Sequence, residues 1–307
     1  MIFVLNPDPY LLPSYRISPF STPDVAINYN LPYSDLIDDY FNQRFDGHKF
    51  YYTINGRSAL SMALSYYSFV KEDVVTILTT SGNYYISKCV TDTISHYCSW
   101  SREIKENTRL FLVNHEFGFP YQGLRELKRL GLPIIEDCAH SFYSYDIDQN
   151  IGKVGDFVVY SFPKMFPIQI GGLLLQNIAG DADFQTILDN RLNRYIKNVM
   201  SHYVSFKKSI ISKRLENYAL LKDRFNELGF SERFIPEDSI VPGVFMFRTG
   251  GRNLKMDEMK RHFWAHGIQC SVFYGEDSFF IPVHHRLELS DTEYFYEVMK
   301  LFLSKNS

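Results

Sequence analysis

Cysteine is scarce. Four residues, at positions 89, 98, 138 and 270, include no CxxC pair, which excludes zinc ribbons and thioredoxin-like redox motifs. Four thiols in 307 residues suit a reducing cytosol. Long apolar runs are missing as well: none approaches the roughly 20 residues of a membrane-spanning helix. The apolar opening Met1-Ile2-Phe3-Val4-Leu5 stops at Asn6-Pro7, with no basic segment before it, so it does not read as a secretion signal. We expect a cytoplasmic protein with no membrane partner. Excess positive charge is absent: 32 Lys and Arg against 35 Asp and Glu give a formal net charge of −3, so we expect no nucleic-acid partner. No GxGxxG follows a predicted strand and no GxxxxGK[ST] occurs, which removes the dinucleotide fingerprint and the P-loop. His262 and His266 stand four apart, a metal-ligand spacing, but no third ligand accompanies them and we expect no metal.

Aromatics are abundant, with 26 Phe and 22 Tyr, and hydrophobic residues make up 45% of the chain. A large core with aromatic-lined pockets follows. Residues 1 to about 47 read as an irregular arm ending in a short helix near Asp35–Phe45. A regular alternation then starts. Strands are predicted at Lys49–Ile54, Val74–Thr79, Arg109–Val113, Pro133–Glu136, Phe157–Ser161 and Gly172–Leu175. Helices are predicted at Ser58–Tyr67, Ile86–His96 and Gln122–Leu130. Such alternation builds an α/β fold around a mostly parallel sheet. Near residue 178 the texture changes. A polar helical stretch from Asp181 to about Leu228 leads to strands at Val244–Arg248 and Gln269–Tyr274. Helices at Met256–His266 and Asp291–Leu303 complete the chain. We therefore expect a large domain over 1–178 and a small C-terminal α+β domain over 179–307.

Four segments carry chemistry. Asn55-Gly56-Arg57-Ser58-Ala59-Leu60 lies at a strand-to-helix turn. Gly56 lets backbone approach a ligand, and the amides of Arg57, Ser58 and Ala59 stand at a helix N-terminus, where phosphate binds. The Arg57 guanidinium and Ser58 hydroxyl add donors, although Ser58 serves equally as a plain N-cap. Ser81-Gly82-Asn83-Tyr84-Tyr85 follows a strand, the place where open α/β sheets hold ligands. One of its tyrosines stacks on a flat ring or fills core. Asp137 ends the apolar strand before Cys138-Ala139-His140, so its carboxylate partners a cation or caps the next turn. Lys164 follows the apolar run Phe157–Phe162. It is a solvated turn lysine or an amine of depressed pKa ready to form a Schiff base.

Taken together these segments resemble the DegT/StrS-type sugar aminotransferases, a pyridoxal-phosphate (PLP) family with the fold-type-I aminotransferase fold. The resemblance runs from about Phe50 to the C-terminus. Gly56-Arg57-Ser58-Ala59-Leu60 resembles the family's phosphate turn, and Val113-Asn114-His115-Glu116-Phe117-Gly118 its V-H-x-x-G strand end. Glu136-Asp137-Cys138-Ala139-His140 matches E-D-x-A-[QH]. Gly152, Gly155-Asp156 and Ser161-Phe162 follow at the usual offsets. Gly267-Ile268-Gln269 and Ile281-Pro282-Val283-His284 resemble the closing G-I-x and L-P-x-H segments. The order and spacing of the set are more specific than any one motif.

The resemblance implies PLP as cofactor and Lys164 as the lysine that carries it. It makes Asp137 the partner of the pyridine nitrogen and sets His140 beside O3′. Tyr85, or Tyr84, is implied on the ring face. Gly56, Arg57, Ser58 and Ser161 are implied on the phosphate. It further implies small-molecule substrates, an amino-acid donor such as glutamate and a nucleotide-linked keto-sugar acceptor, and a homodimer. Three departures stand out. The spacer from serine to lysine is short, Ser161-Phe162-Pro163-Lys164. Arg57 replaces the family's threonine. No N-Y-R-M-like segment follows the lysine loop. These departures motivate two alternatives: a PLP-fold protein that binds without turnover, and a PLP enzyme of another reaction type such as an amino-acid lyase.

Overall fold

The structure, a computed structural model, describes residues 13–180, 182, 184 and 188–305. The first twelve residues of the predicted arm lie outside this set, as do 181, 183 and 185–187. Seven strands form one sheet. They are β1 (Phe50–Thr53), β2 (Val74–Thr79), β3 (Ser99–Ser101), β4 (Thr108–Asn114), β5 (Ile134–Asp137), β6 (Phe157–Ser161) and β7 (Gly172–Gln176), in the order β1-β7-β6-β5-β4-β2-β3. Strands β3, β2, β4, β5 and β6 run parallel, and β7 is antiparallel to both β6 and β1. The sheet is mostly parallel, as expected. Its central strands are apolar on both faces because helices cover both faces.

Alternation along β6 separates the two layers. Phe157 and Val159 pack with α3 (Gly56–Ser65) and α4 (Lys88–Ser95) on one face. Val158 and Tyr160 pack with α2 (Leu36–Arg44) and α6 (Asn190–Val204) on the other. Two more short helices, α1 (Asp24–Tyr29) and α5 (Leu124–Lys128), lie at the periphery. The second layer system is a four-stranded antiparallel sheet of order β10-β11-β9-β8. It comprises β8 (Ser231–Glu232), β9 (Val244–Arg248), β10 (Ser271–Val272) and β11 (Ser278–Pro282). Helices α7 (Lys207–Glu227), α8 (Met256–Ala265) and α9 (Leu289–Lys305) accompany it. The two cores share α7: Ile210 packs in the first, and Tyr218, Leu221 and Phe225 pack in the second. Helix α6 contacts α1 and α2, so packing changes hands further along the chain than the change of texture near residue 178. No described helix is long and apolar enough to cross a membrane. The spaced histidines of α8 are spent on carbonyls, His262 Nε2 on Val298 O and His266 Nδ1 on His262 O.

One buried carboxylate ties the large sheet together. Glu136, fully buried in β5, accepts from the backbone N–H of Gly152 at 2.8 Å, Val154 at 3.0 Å and Gly155 at 2.6 Å. His115 Nε2, at the end of β4, stands 3.0 Å from the same carboxylate. The Tyr121 N–H donates to His115 Nδ1 at 3.1 Å, which leaves the proton on Nε2 to donate to Glu136. Glu136→Ala would leave these donors buried and unpaired. We expect a loss of about 3–5 kcal/mol, read as a fall in the urea midpoint at unchanged m-value. A midpoint close to wild type would show that the network is dispensable.

Candidate active site

A cavity of about 350 Å³ opens where β5 and β6 end and α3 and α4 begin. Gly56, Arg57, Cys89, Asp137, Ser161 and Lys164 line it, with Asn55, Leu60, Val90, Ala139 and Val159. This is the carboxyl edge of the parallel strands, the ligand-binding edge of such sheets.

The α3 corner is built by close approach. A Cβ on Gly56 would lie 3.1 Å from Ser161 Cβ, and one on Gly172 would lie 2.8 Å from the Gly56 nitrogen. Only glycines let the helix start sit against β6 and β7. Asn55 caps α3, its Oδ1 accepting from the Ser58 N–H at 2.9 Å and the Ser58 hydroxyl at 3.2 Å. The Ala59 N–H donates to Asn55 O at 3.2 Å. Ser58 is thus held inside the turn by the cap and does not line the cavity. The N–H groups of Gly56 and Arg57 have no acceptor among the described residues. Two free amides at a helix start, beside the Arg57 side chain and the Ser161 hydroxyl, form an anion cradle.

Asp137 closes β5. Its Oδ2 accepts from Asn114 Nδ2 at 2.8 Å, and its Oδ1 accepts from the Ala139 N–H at 3.0 Å. No cation stands within ion-pair distance among the described residues, and burial raises its pKa against the pull of those two bonds and of the nearby His115 and Lys164. Lys164 ends a single 3₁₀ turn, Phe162–Lys164, pinned by buried Phe162 and by the Met165 and Phe166 N–H groups on Phe162 O at 3.0 and 2.9 Å. The short spacer therefore still brings Lys164 to the cavity. Burial lowers the pKa of its amine, with Cys89 and Asp137 acting against that shift. His140 follows the cavity-lining Ala139. Its Nδ1 is buried without a partner, and burial, Lys164 and Arg214 hold its pKa well below the ordinary range, so the ring is neutral.

The structure does not bring Tyr85 to the cavity. Its ring packs 5.3 Å from Phe273, 6.0 Å from Phe280 and 6.2 Å from Phe117, and burial raises its pKa. Tyr84 is 67% exposed beneath the Arg102 guanidinium. At that side the wall is Cys89 and Val90, which the sequence reading passed over. The signal available was positional, since both residues open a helix that follows a strand of the parallel sheet.

The residues fit PLP on three counts. Two amides unpartnered among the described residues stand beside a hydroxyl, as a phosphate needs, and a buried carboxylate of raised pKa and an amine of lowered pKa line the same cavity. Asp137 would face the ring nitrogen, Lys164 the aldehyde carbon, and the Gly56–Arg57 amides with Ser161 the phosphate.

A family model described as "Putative PLP-dependent aminotransferase" matches residues 37–232. Among solved structures, the aminotransferase TlmJ from Streptoalloteichus hindustanus is similar at TM-score 0.72 and 13% identity, over 95% of this chain and 100% of that one. DesV from S. venezuelae follows at 0.67 and 18%, over 91% and 92%. A DegT DnrJ EryC1 StrS aminotransferase from Brucella abortus gives 0.67 and 13%, over 91% and 93%. At such identities these likenesses establish the shared fold. No curated protein matches the chain in sequence.

Asp137 also makes a stability prediction. Its pKa is raised on folding, so its contribution is full below the ordinary carboxylate pKa and is lost as pH rises through the folded value. Where it ionises, this buried carboxylate costs the cofactor-free protein stability. Asp137→Asn is expected to melt at or above the wild-type temperature at pH 7, with the difference shrinking on acidification toward pH 4. A variant that melts well below wild type at pH 7 would contradict this reading.

Proposed function

The chain belongs to the family of PLP-dependent aminotransferases, and from that premise we propose that its Lys164 cavity moves an amino group from an amino acid to a nucleotide-linked keto-sugar. Glutamate is the donor in this reading, and amino-sugar or surface-polysaccharide biosynthesis is the setting. The observation that carries it is the convergence of Lys164, Asp137 and the Gly56–Arg57–Ser161 corner on one cavity. The sugar acceptor rests on the fold shared with the DegT/StrS enzymes and on the motif order around Glu136-Asp137-Cys138-Ala139-His140.

PLP, when bound, supplies an electron sink for charge developing at the donor's Cα. The chain supplies the rest. Asp137 would pair with the ring nitrogen and hold a proton there. Free amides at Gly56 and Arg57, the Arg57 guanidinium and the Ser161 hydroxyl would hold the phosphate and so fix the cofactor's orientation in the cavity. Ser58 acts by fixing that turn through Asn55. Lys164 would hold the cofactor and, as a free amine, would serve as the acid and base of the site, its lowered pKa leaving a larger neutral, basic fraction at working pH. His140, neutral and next to the cavity-lining Ala139, would stand toward O3′, although it does not itself line the cavity.

A homodimer belongs to the same proposal. Val25, Ile27, Tyr29, Tyr33 and Leu36 are 48–81% exposed along α1 and the approach to α2, an apolar stretch that a second copy would cover. Sedimentation of a fully active monomer at micromolar concentration would overturn this part.

The chemistry has a direct test. Borohydride reduction of PLP-loaded protein, followed by peptide mapping, should place the pyridoxyl mass on the Lys164 peptide, and Lys164→Ala should lose the cofactor's visible band. Glutamate should bleach that band in the wild type. An unresponsive band with every amino acid would favour binding without turnover. Asp137→Ala should lose several decades of rate, each about 1.4 kcal/mol, while retaining some PLP through the phosphate cradle. Near-wild-type transamination by that variant would sink the assignment of Asp137.

A further inference from the structure

Among the described residues, one arginine has no exposed surface and no part in the chemistry proposed for the cavity. Arg214, on α7, is 0% exposed. It has no carboxylate partner among the described residues. Its Nη1 donates to Pro242 O at 3.0 Å, its Nη2 donates to Lys164 O at 3.4 Å, and its Nε is buried without a partner. Burial pulls its pKa down to about 9. An unpaired guanidinium in a protein interior is costly, and apolar side chains of similar volume often replace buried ions without loss of stability. Packing alone does not explain an arginine here.

Its two acceptors do. Lys164 O is the last carbonyl of the 3₁₀ turn and has no helix beyond to satisfy it. Pro242 O belongs to the strap Ser239–Gly243 that leads into β9. The strap is pinned to the large domain by Tyr145 N–H on Ser239 O at 2.9 Å, Val241 N–H on Ser144 Oγ at 3.0 Å and Gly243 N–H on Phe117 O at 2.5 Å. A Cβ on Gly243 would come within 2.6 Å of His140 Nδ1, so the strap lies hard against the site. A planar guanidinium fork serves two carbonyls at once, and a lysine ammonium does so less well.

We propose that Arg214 is a positioning residue for Lys164, clamping the carbonyl of the shortened turn to the Pro242 strap so that the amine stays recessed beside Asp137. The clamp stands in for the longer spacer through which the family usually delivers its lysine. It acts through backbone, since the groups that bear on the amine itself are Cys89 from α4 and Asp137 from β5. The groups facing the guanidinium are Lys164 on its turn, His140 after β5, and His284 and His285 after β11. All three histidines are held neutral by burial and by Arg214.

The inference rests on the assignment of Lys164, and the test separates the two. Cofactor-free wild type, Arg214→Met and Arg214→Lys would be labelled with a water-soluble lysine-reactive ester across pH, and the Lys164 peptide quantified by mass. Arg214→Met should fold with little loss in melting temperature. Its Lys164 labelling midpoint should move up by roughly one pH unit, a tenfold fall in free amine at fixed pH, as the amine leaves its recess. Arg214→Lys should recover part of that shift. A residue that only stabilised the fold would lower the melting temperature and leave the labelling profile unmoved. That pattern, or an unshifted midpoint in both variants, overturns the clamp. Should borohydride trapping in the wild type fall on another lysine, the assignment of Lys164 fails, and the clamp with it. Trapping on Lys164 with an unshifted Arg214→Met midpoint overturns the clamp alone.

Discussion

Everything at the site hangs on the burial of Glu136. A carboxylate with no exposed surface must find donors, and it finds them in two segments on either side of β5. His115 reaches it from the end of β4, and the 152–155 turn wraps it just before β6 begins. The bonds set the relative heights of three neighbouring strands. Asp137, one residue on, must then point to the opposite face at the strand end. There it meets the cavity that β6 completes with Ser161. Gly155 records how tight this is, since a Cβ there would come within 2.9 Å of Glu136 Cγ. The same carboxylate, with His115 and Cys138, has the proximity of a metal-ligand set. Its oxygens are already spent on four donors, which is the signature of a structural anchor.

The contrast with Asp137 and Arg214 shows where the molecule tolerates unmet demand. Glu136 has four donors, as many as a carboxylate can accept. Among the described residues Asp137 has two neutral donors and no ion pair, Arg214 two carbonyls and no ion pair, and His140 a buried Nδ1 with no partner. These three groups and Lys164 adjoin one another around a single strand edge. Other buried polar atoms also go unpartnered among the described residues, Tyr67 Oη, Arg102 Nε and Tyr143 Oη among them, but Asp137 and Lys164, both of shifted pKa, line one cavity, as expected where a fold binds a ligand.

Much of this was legible in the residues. Val74–Thr79, Phe157–Ser161 and Val244–Arg248 have the bounds predicted from their apolar runs, because a strand buried on both faces needs an unbroken run. Gly56, Arg57, Asp137, Ser161 and Lys164 do meet at one cavity, since each follows or precedes a strand at the same edge. Shorter and more local features were hidden. Strand β11, Ser278–Pro282, escaped because it is brief and ends on a proline, which is tolerated where the register with Val244 closes the ladder. Helix α1 was lost in an arm without periodicity. Tyr85 was read for its chemistry, yet its place is decided by Phe273 and Phe280, residues nearly two hundred positions away that no local pattern reveals.

Arg214 belongs to the same class of hidden residue, and the reason is general. In the polar helical stretch of α7 it reads as one more solvated cation among Lys207, Lys208, Lys213 and Lys222. Its neighbours Ile210, Asn217, Tyr218 and Leu221 are buried, so the inward stripe of the helix includes position 214. A stripe with an arginine at its centre is a local conflict between pattern and chemistry, and such conflicts collect where function overrules packing. Asn217, one turn on, repeats the device in neutral form: its Nδ2 donates to His284 O at 2.8 Å and Leu287 O at 2.9 Å. Two adjacent turns of α7 thus bind loop carbonyls from both domains. The helix that joins the two cores also fixes the backbone at the ends of the site, which is why the lysine turn can be short.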